Sequence, residues 1–348
     1  MEICLLADTH LGIRNNSDCL LACQEKFYND IFFPTLEKEN IKTIVHLGDY
    51  FDNRKNVSHY ALAKNEEHFL KPLEKGGYEM IIIAGNHDCF YTSTNKLNSL
   101  RTILSTRKNI RIIDNESMIL SVDGGKTNSL FVPWLNPENV DVFNKLLREG
   151  NFKHIFGHFE INGFEVQRGQ VMEHGIDKKL FKDAPIVFSG HFHHKSTLGN
   201  IHYLGSPHQA TWNDVDSERG FHILDTETLE LRFIKNPYDM FKVIKYNNGV
   251  DIKKEDLVGK YVRIVVEGKE DESAFANALK EIASFAPENV SVVDEVNTSF
   301  TQGEIQLQEG ESTIQTIQKY VDALEECVLK DDVKQYINNL YLEALTVL

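Results

Sequence analysis

Nine side chains in five short clusters carry the chemistry that this sequence can perform: Asp8 and His10, Asp49 and Asp52, Asn86 and His87, His158, and His191 with His193. Carboxylates, imidazoles and a carboxamide are donors that hold a divalent cation while leaving it room for water or phosphate oxygens. Seven of them, Asp8, His10, Asp49, Asn86, His158, His191 and His193, suffice for two open metal sites if Asp49 is shared. Two cations ~3.5–4 Å apart can clamp the attacking and leaving oxygens of a phosphoryl displacement. In Asp-x-His and His-x-His, alternate residues fall on one side of an extended segment, which predicts that each pair faces one metal. His87 is more useful unligated, where an imidazole can hold a phosphate oxygen or protonate a leaving alkoxide. Asp52 is expected to orient and charge His87 as a carboxylate behind a histidine.

Each cluster follows an apolar run, at residues 3–6, 44–47, 80–83, 154–156 and 186–188. Such runs read as buried strands, and in an open α/β sheet ligands gather outside the carboxyl ends of the strands. Five clusters on one sheet would converge on one site. Between the strands, helices are predicted over 19–39, 58–74 (with Ser58 as N-cap and Gly76-Gly77 as stop), 94–107 and 137–149. The first half therefore alternates strand and helix, which favours a parallel or mixed sheet wrapped by helices. From 117 to 133 a hairpin turns at Asp123-Gly124-Gly125. The short alternating runs at 194–204, 219–225 and 228–234 predict a second half rich in antiparallel strands. Two mixed sheets packed face to face with helices outside accommodate both halves.

The chain has 348 residues, of which 41% are hydrophobic, enough for a proper core and more than one domain. Residues 1–236 form the expected metal-binding domain, and 237–298 a small α+β unit. Residues 299–311 read as a polar linker and 312–348 as a helical pair. The five cysteines are odd in number and lack zinc-type pairing, so a reducing, cytoplasmic setting is expected. The first strand starts at once, leaving no room for a signal peptide, and no run reaches membrane-spanning length. The net charge of −15 is uneven: residues 1–235 carry 26 basic and 31 acidic side chains, residues 236–348 carry 11 and 21. This weighs against a surface built as a whole to attract nucleic acid.

The clusters Asp8-x-His10, Gly48-Asp49-x-x-Asp52, Gly85-Asn86-His87-Asp88, Gly157-His158 and Gly190-His191-x-His193 resemble, in order and spacing, the five signature motifs of the calcineurin-like metallophosphoesterases. Within that superfamily the chain is similar to the SbcD-type nucleases of double-strand-break repair, and most to the recombination endonuclease subunits of T4-like bacteriophages. Asp8-Thr9-His10-Leu11-Gly12, Ser189-Gly190-His191-Phe192-His193 and Gly205-Ser206-Pro207 support the narrower match. The resemblance implies a four-layer core, a DNA-end-selecting cap at 237–298 and a C-terminal segment gripping an SbcC-type ABC ATPase. It implies one Mn2+ (or Mg2+) on Asp8, His10, Asp49 and His193, and another on Asp49, Asn86, His158 and His191. His87 is then the catalytic histidine. DNA ends or hairpins are the implied substrate, a homodimer through helices near 58–74 and 94–107 the implied assembly, and host cytoplasm the implied location.

Two other readings stay open: a calcineurin-like protein phosphatase or cyclic-nucleotide phosphodiesterase, and a non-catalytic scaffold holding an ATPase on DNA. The phosphatase pattern lacks its Arg-Gly after Asp52-Asn53. The remaining histidines, including His46, His154 and His194, read as packing or surface residues, with His208 either cleft-lining or plain loop. Arg101, Arg107, Lys108 and Arg111 form a local basic patch, either a solvated helix face or a phosphate track. Trp134 and Trp212 read as packing anchors.

Overall fold

The computed structural model describes residues 1–167, 170–250 and 252–294. The expected linker and helical pair, and the last residues of the expected cap, lie outside them. The strands are β1 (Glu2–Leu6), β2 (Thr43–His46), β3 (Glu79–Ile83), β4 (Ile110–Ile113), β5 (Met118–Ser121) and β6 (Asn128–Val132). They continue with β7 (His154–His158), β8 (Glu165–Gln167), β9 (Gln170–Val171), β10 (Ile186–Gly190), β11 (Ser196–Leu198) and β12 (Ile201–Tyr203). The last are β13 (Gly220–Asp225), β14 (Leu231–Lys235), β15 (Phe241–Asn247), β16 (Tyr261–Gly268) and β17 (Asn289–Asp294).

Two six-stranded mixed sheets dominate. The first runs β14-β13-β1-β2-β3-β4, parallel from β1 to β4 and antiparallel where β13 and β14 join. The second runs β11-β12-β10-β7-β6-β5, parallel through its middle four strands and antiparallel at both edges. Alternation along the strands separates three apolar layers. Ile3, Leu5, Val45 and Ile83 pack against Phe131, Phe156 and Phe188 between the sheets. Cys4, Leu6, Ile44 and Ile82 turn outward onto Phe27, Phe32, Phe69 and Leu73 of the covering helices. Phe143 and Phe181 cover the second sheet. The result is the expected four-layer α/β sandwich.

Four expectations change. The five clusters do not share one sheet: β1, β2 and β3 deliver three, β7 and β10 of the second sheet the other two. They still meet, because both sheets are parallel at their centres and the carboxyl ends of those strands face the same edge of the sandwich. The strands β13 and β14 belong to the first sheet, beside β1, so the two halves of the chain do not map onto the two sheets. The helices predicted over 19–39 and 58–74 are each interrupted by a π-turn, Tyr28–Phe32 and Glu66–Leu70. Each π-turn stands just before a proline, Pro34 or Pro72. Proline has no N–H and its ring crowds the carbonyl one turn back, so the wider turn lets the helix continue. Ser58 does cap its helix, its hydroxyl accepting from Ala61 N at 3.0 Å. The helix expected over 94–107 shortens to Ser99–Leu104, capped by Asn98, whose side chain accepts from Arg101 N at 2.7 Å.

The described chain divides into two compact units. The first takes Met1–Val243, Ile252–Val262 and Ile282–Val290, and contains every candidate site residue. The second takes residues 244–250, Arg263–Glu281 and 291–294, with Tyr246 and Phe275 packed ring to ring, centroids 4.8 Å apart. Among the described residues no helix is long and apolar enough to cross a membrane.

Candidate metal centre

The chain turns sharply where each strand ends. Asp8 has φ 51°, His10 φ 43°, Asp49 φ 52° and His191 φ 92°, all left-handed and all candidate ligands. Such conformations cost non-glycine residues roughly 1–3 kcal/mol each, so the strain is concentrated at the donors. These segments are not extended, as the alternation argument assumed; the backbone curls over the strand ends instead, and that is what brings the donors together. Two glycines allow the approach. A Cβ at Gly48, where φ is +89°, would lie 2.6 Å from His158 Nδ1, and one at Gly85 would lie 2.2 Å from Asp49 Oδ1.

Three groups of donors result, the third being His10, Asp52 and His87 at the rim. Asp8, His10 and His193 place ligand atoms within 4.8 Å of one another, with His10 Nε2 and His193 Nε2 3.0 Å apart. Asp49, His158 and His191 form the second group, and Asn86 Oδ1 stands 2.9 Å from His158 Nε2 and 3.0 Å from His191 Nδ1. Asp49 Oδ2 lies between the first two groups, 3.3 Å from His158 Nε2 and 3.8 Å from His10 Nε2. All seven expected donors are thus in one place.

The arrangement is short of positive charge. Asp8 Oδ2 is buried with no hydrogen-bond partner, while its Oδ1 accepts from His191 N at 2.9 Å. Burial, and then the neighbouring Asp49, push the Asp8 carboxyl up to about 7 despite the opposing pull of His158. Burial likewise works against charge on His158, but Asp49 and Asp8 outweigh it and raise that imidazole to about 9. His191 is pushed down to about 3 and His193 well below its ordinary value, by burial first and by neighbouring imidazoles next. Neutral imidazoles with lone pairs turned on buried carboxylates fit a cation. His158 Nδ1 donates to Leu47 O at 2.7 Å, so a cation that displaced the Nε2 proton would find that nitrogen's lone pair facing the group, as in metal-ligating histidines generally.

His87 lies at the rim, half-buried. Its main-chain N–H donates to Asp49 Oδ1 at 2.7 Å and its ring stands edge-on to His10, centroids 4.9 Å apart. Asp52 does hold His87, but through its main-chain carbonyl, which accepts from Nδ1 at 2.5 Å. The Asp52 carboxylate faces His10 Nδ1 instead, at 3.4 Å. Burial disfavours charge on His10, yet Asp52, Asp49 and Asp8 together raise its pKa.

Several residues that support the centre had weak or no sequence signals. Asp88 is fully buried and staples two loops, accepting from Tyr50 N at 3.0 Å, Phe51 N at 3.1 Å and Gly85 N at 2.9 Å. Thr9 Oγ1 meets His46 Nε2 at 3.1 Å, and Thr9 O accepts from Gln24 Nε2 at 2.9 Å and meets His208 Nε2 at 3.1 Å. His208 therefore braces the Asp8–His10 turn from behind. Arg219 is buried, donates to His193 O and pairs with Asp214 at 2.6 Å. Trp134 reaches across from the end of β6, its main-chain N–H donating to Ala84 O at 2.7 Å and its ring 5.3 Å from that of His191. The basic patch is partly engaged elsewhere: Arg101 pairs with Asp114, and Arg107 with Glu66 and Glu74.

Comparison with known proteins places the chain in a family. The family model described as calcineurin-like phosphoesterase matches residues 1–195. The chain belongs to that family. It is an enzyme of the phosphoester-hydrolysing kind, and divalent metal ions are the family's working cofactors. This calcineurin-like phosphoesterase is 27% identical over 347 residues to Exonuclease subunit 1 of Enterobacteria phage T4, covering 99% of each chain. It is 24% identical over 292 residues to the D component of the SbcCD nuclease of Staphylococcus epidermidis, covering 76% of each. Among solved structures it is similar to a dimetal phosphatase from Danio rerio, with a TM-score of 0.41, 10% identity, and coverage of 64% of this chain and 91% of that one.

Proposed function

We propose that this phosphoesterase is the nuclease subunit of a recombination and break-processing complex, hydrolysing DNA phosphodiester bonds with two divalent ions. The observation that carries the reading is Asp49 Oδ2, placed between His10 Nε2 at 3.8 Å and His158 Nε2 at 3.3 Å, which suits a carboxylate shared by two ions. Asp8, His10, Asp49 and His193 would hold one and Asp49, Asn86, His158 and His191 the other, with Mn2+ preferred and Mg2+ acceptable. When bound, the ions supply Lewis acidity and lower the pKa of water.

The chain's own residues do the rest. His87, fixed by Asp52 O through Nδ1, keeps Nε2 as the ring nitrogen that can give a proton to the departing 3′ oxygen. Asp52 holds that ring in place and, through its carboxylate, keeps His10 oriented. Trp134 and the apolar layer beneath shield the donors from bulk water.

Relatives named as nuclease subunits, matched over 99% and 76% of their lengths, support a nucleic acid as substrate and a partner subunit, which we take to be DNA and an ABC-type ATPase. We assign the ATPase contact to 312–348 and end selection to 237–298. A homodimer through the helices His59–Asn65 and Ser99–Leu104 is supported by exposed apolar side chains close by, Tyr60 at 49% and Leu97 at 49%. The test is manganese-dependent cleavage of end-labelled duplex and hairpin DNA, with and without the SbcC-type partner. Cleavage that His87→Ala abolishes with metal content intact supports the reading. Dephosphorylation of a phosphopeptide with DNA untouched would replace it with the phosphatase alternative, and normal recombination with His87→Ala would favour the scaffold.

A further inference from the structure

Arg219 stands just before β13, the strand that pairs with β1 in the first sheet, and it reaches His193, which follows β10 of the second. Its guanidinium meets four fixed acceptors. Nη1 donates to His193 O and to Ser206 Oγ at 2.8 Å, Nε to Ser217 Oγ at 3.0 Å, and Nη2 to Asp214 Oδ1 at 2.6 Å. Asp214 is anchored in turn, its Oδ2 accepting from Ala210 N at 2.6 Å and Thr211 N at 2.8 Å. The two side chains of this ion pair are each 3% exposed.

A buried ion pair is a poor source of stability, because the loss of water around both charges offsets their attraction. What this one supplies is geometry. His158 and His87 are each oriented through ring Nδ1, by Leu47 O and Asp52 O. Among the described residues nothing pairs with His193 Nδ1. That residue is held instead through its main-chain carbonyl, which accepts from Arg219 and from Ser206 N at 3.1 Å. The turn behind the carbonyl has no slack: φ at Gly205 is +75°, and a Cβ there would lie 2.8 Å from His193 O. His191 has a separate tie, its main-chain N–H donating to Asp8 Oδ1 at 2.9 Å.

We infer that Arg219, braced by Asp214, is a positioning residue that fixes His193 of the second sheet against Asp8 and His10 of the first. The inference rests on the two-ion reading above and ties Arg219 to the ion on Asp8, His10, Asp49 and His193. The other donors, Asn86, His158 and His191 with the shared Asp49, do not depend on its grip. The two affinities are therefore set unequally, one ion being governed from outside its ligands and its neighbour left alone.

The experiment compares the full-length chain with Arg219→Lys and with the double variant Arg219→Met, Asp214→Asn. The double variant removes both charges together, and its asparagine keeps an oxygen for Ala210 N and Thr211 N. Urea unfolding of the metal-free proteins is measured first, then manganese binding by titration, elemental analysis and electron paramagnetic resonance. The double variant should unfold at the urea concentration of the wild type and bind one manganese as the wild type does. It should hold the second at least about tenfold more weakly, the signal of coupled ions giving way to that of an isolated one. Arg219→Lys keeps a donor but not the fork, and should recover part of the second affinity. Two ions bound at wild-type affinity in the double variant would overturn the inference. So would loss of folding, or equal weakening of both ions, the marks of a merely structural role. A wild type that binds two ions yet cleaves no DNA would leave the inference standing and remove the nuclease reading; a wild type short of two ions would remove both.

Discussion

Asp49 is where two roles meet in one side chain: Oδ1 accepts from His87 N at 2.7 Å and Oδ2 faces both histidine groups. Burial works against its charge, but His158, His10 and His87 outweigh burial and hold the carboxyl well below its ordinary range, so it is ionised whenever the protein is folded. Asp49→Asn keeps the shape and removes that charge. It is expected to drop bound manganese below one ion per chain, whereas His193→Asn should leave about one, as read by elemental analysis after gel filtration. His87→Ala should keep both ions and lose ~10²–10⁴-fold in turnover, the usual worth of a positioned proton donor. The nine chemical side chains were legible from residue type and spacing. The orientation of Asp52 was not, because it depends on which way one peptide carbonyl points after a left-handed turn.

Elements act through how closely they let loops approach. At Gly85 a Cβ would press on Asp49 Oδ1 at 2.2 Å and Asp49 N at 2.3 Å, backbone that cannot step aside. Gly85→Ala should therefore fold with its strands intact by circular dichroism but bind manganese at least tenfold more weakly, which titration of the metal would show. The strand β13 offers a second test. Its His222 is buried with Nδ1 unpartnered, and burial, followed by Lys195 and His202, lowers its pKa to about 4. An imidazole that ionises near 6.5 when unfolded takes up a proton there first, so the stability it permits is full above that pH and is lost as pH falls toward 4. Relative to the wild type, His222→Phe should lose about 1–2 kcal/mol less stability between pH 7 and pH 5, measured by urea unfolding of the metal-free protein. Periodicity made the strands and most helices visible; the π-turns followed from Pro34 and Pro72, whose effect depends on what packs around them.

For the whole molecule the governing quantity is charge. With −15 overall and most of the excess acid beyond residue 235, long-range attraction for DNA is weak. The isolated chain is expected to bind duplex DNA with a dissociation constant of roughly 10⁻⁴–10⁻⁶ M at physiological salt, and to tighten when the proposed ATPase partner is added. Fluorescence anisotropy with and without that partner reads this directly. Nanomolar binding by the chain alone would remove the need for a partner's basic groove.

The sequence by itself singled out the candidate donors, the apolar strands that carry them, the four-layer class and the family. These are local: residue type, a period of two along a strand, and order along the chain survive without knowing what touches what. The tertiary structure decided that two sheets share the site, that β13 and β14 return to the first sheet, that Asp52 holds His87 by its carbonyl, and that Arg219 reaches His193. Each of these is a pairing between segments far apart in sequence or a direction taken by one turn, and neither residue type nor period encodes a direction in space.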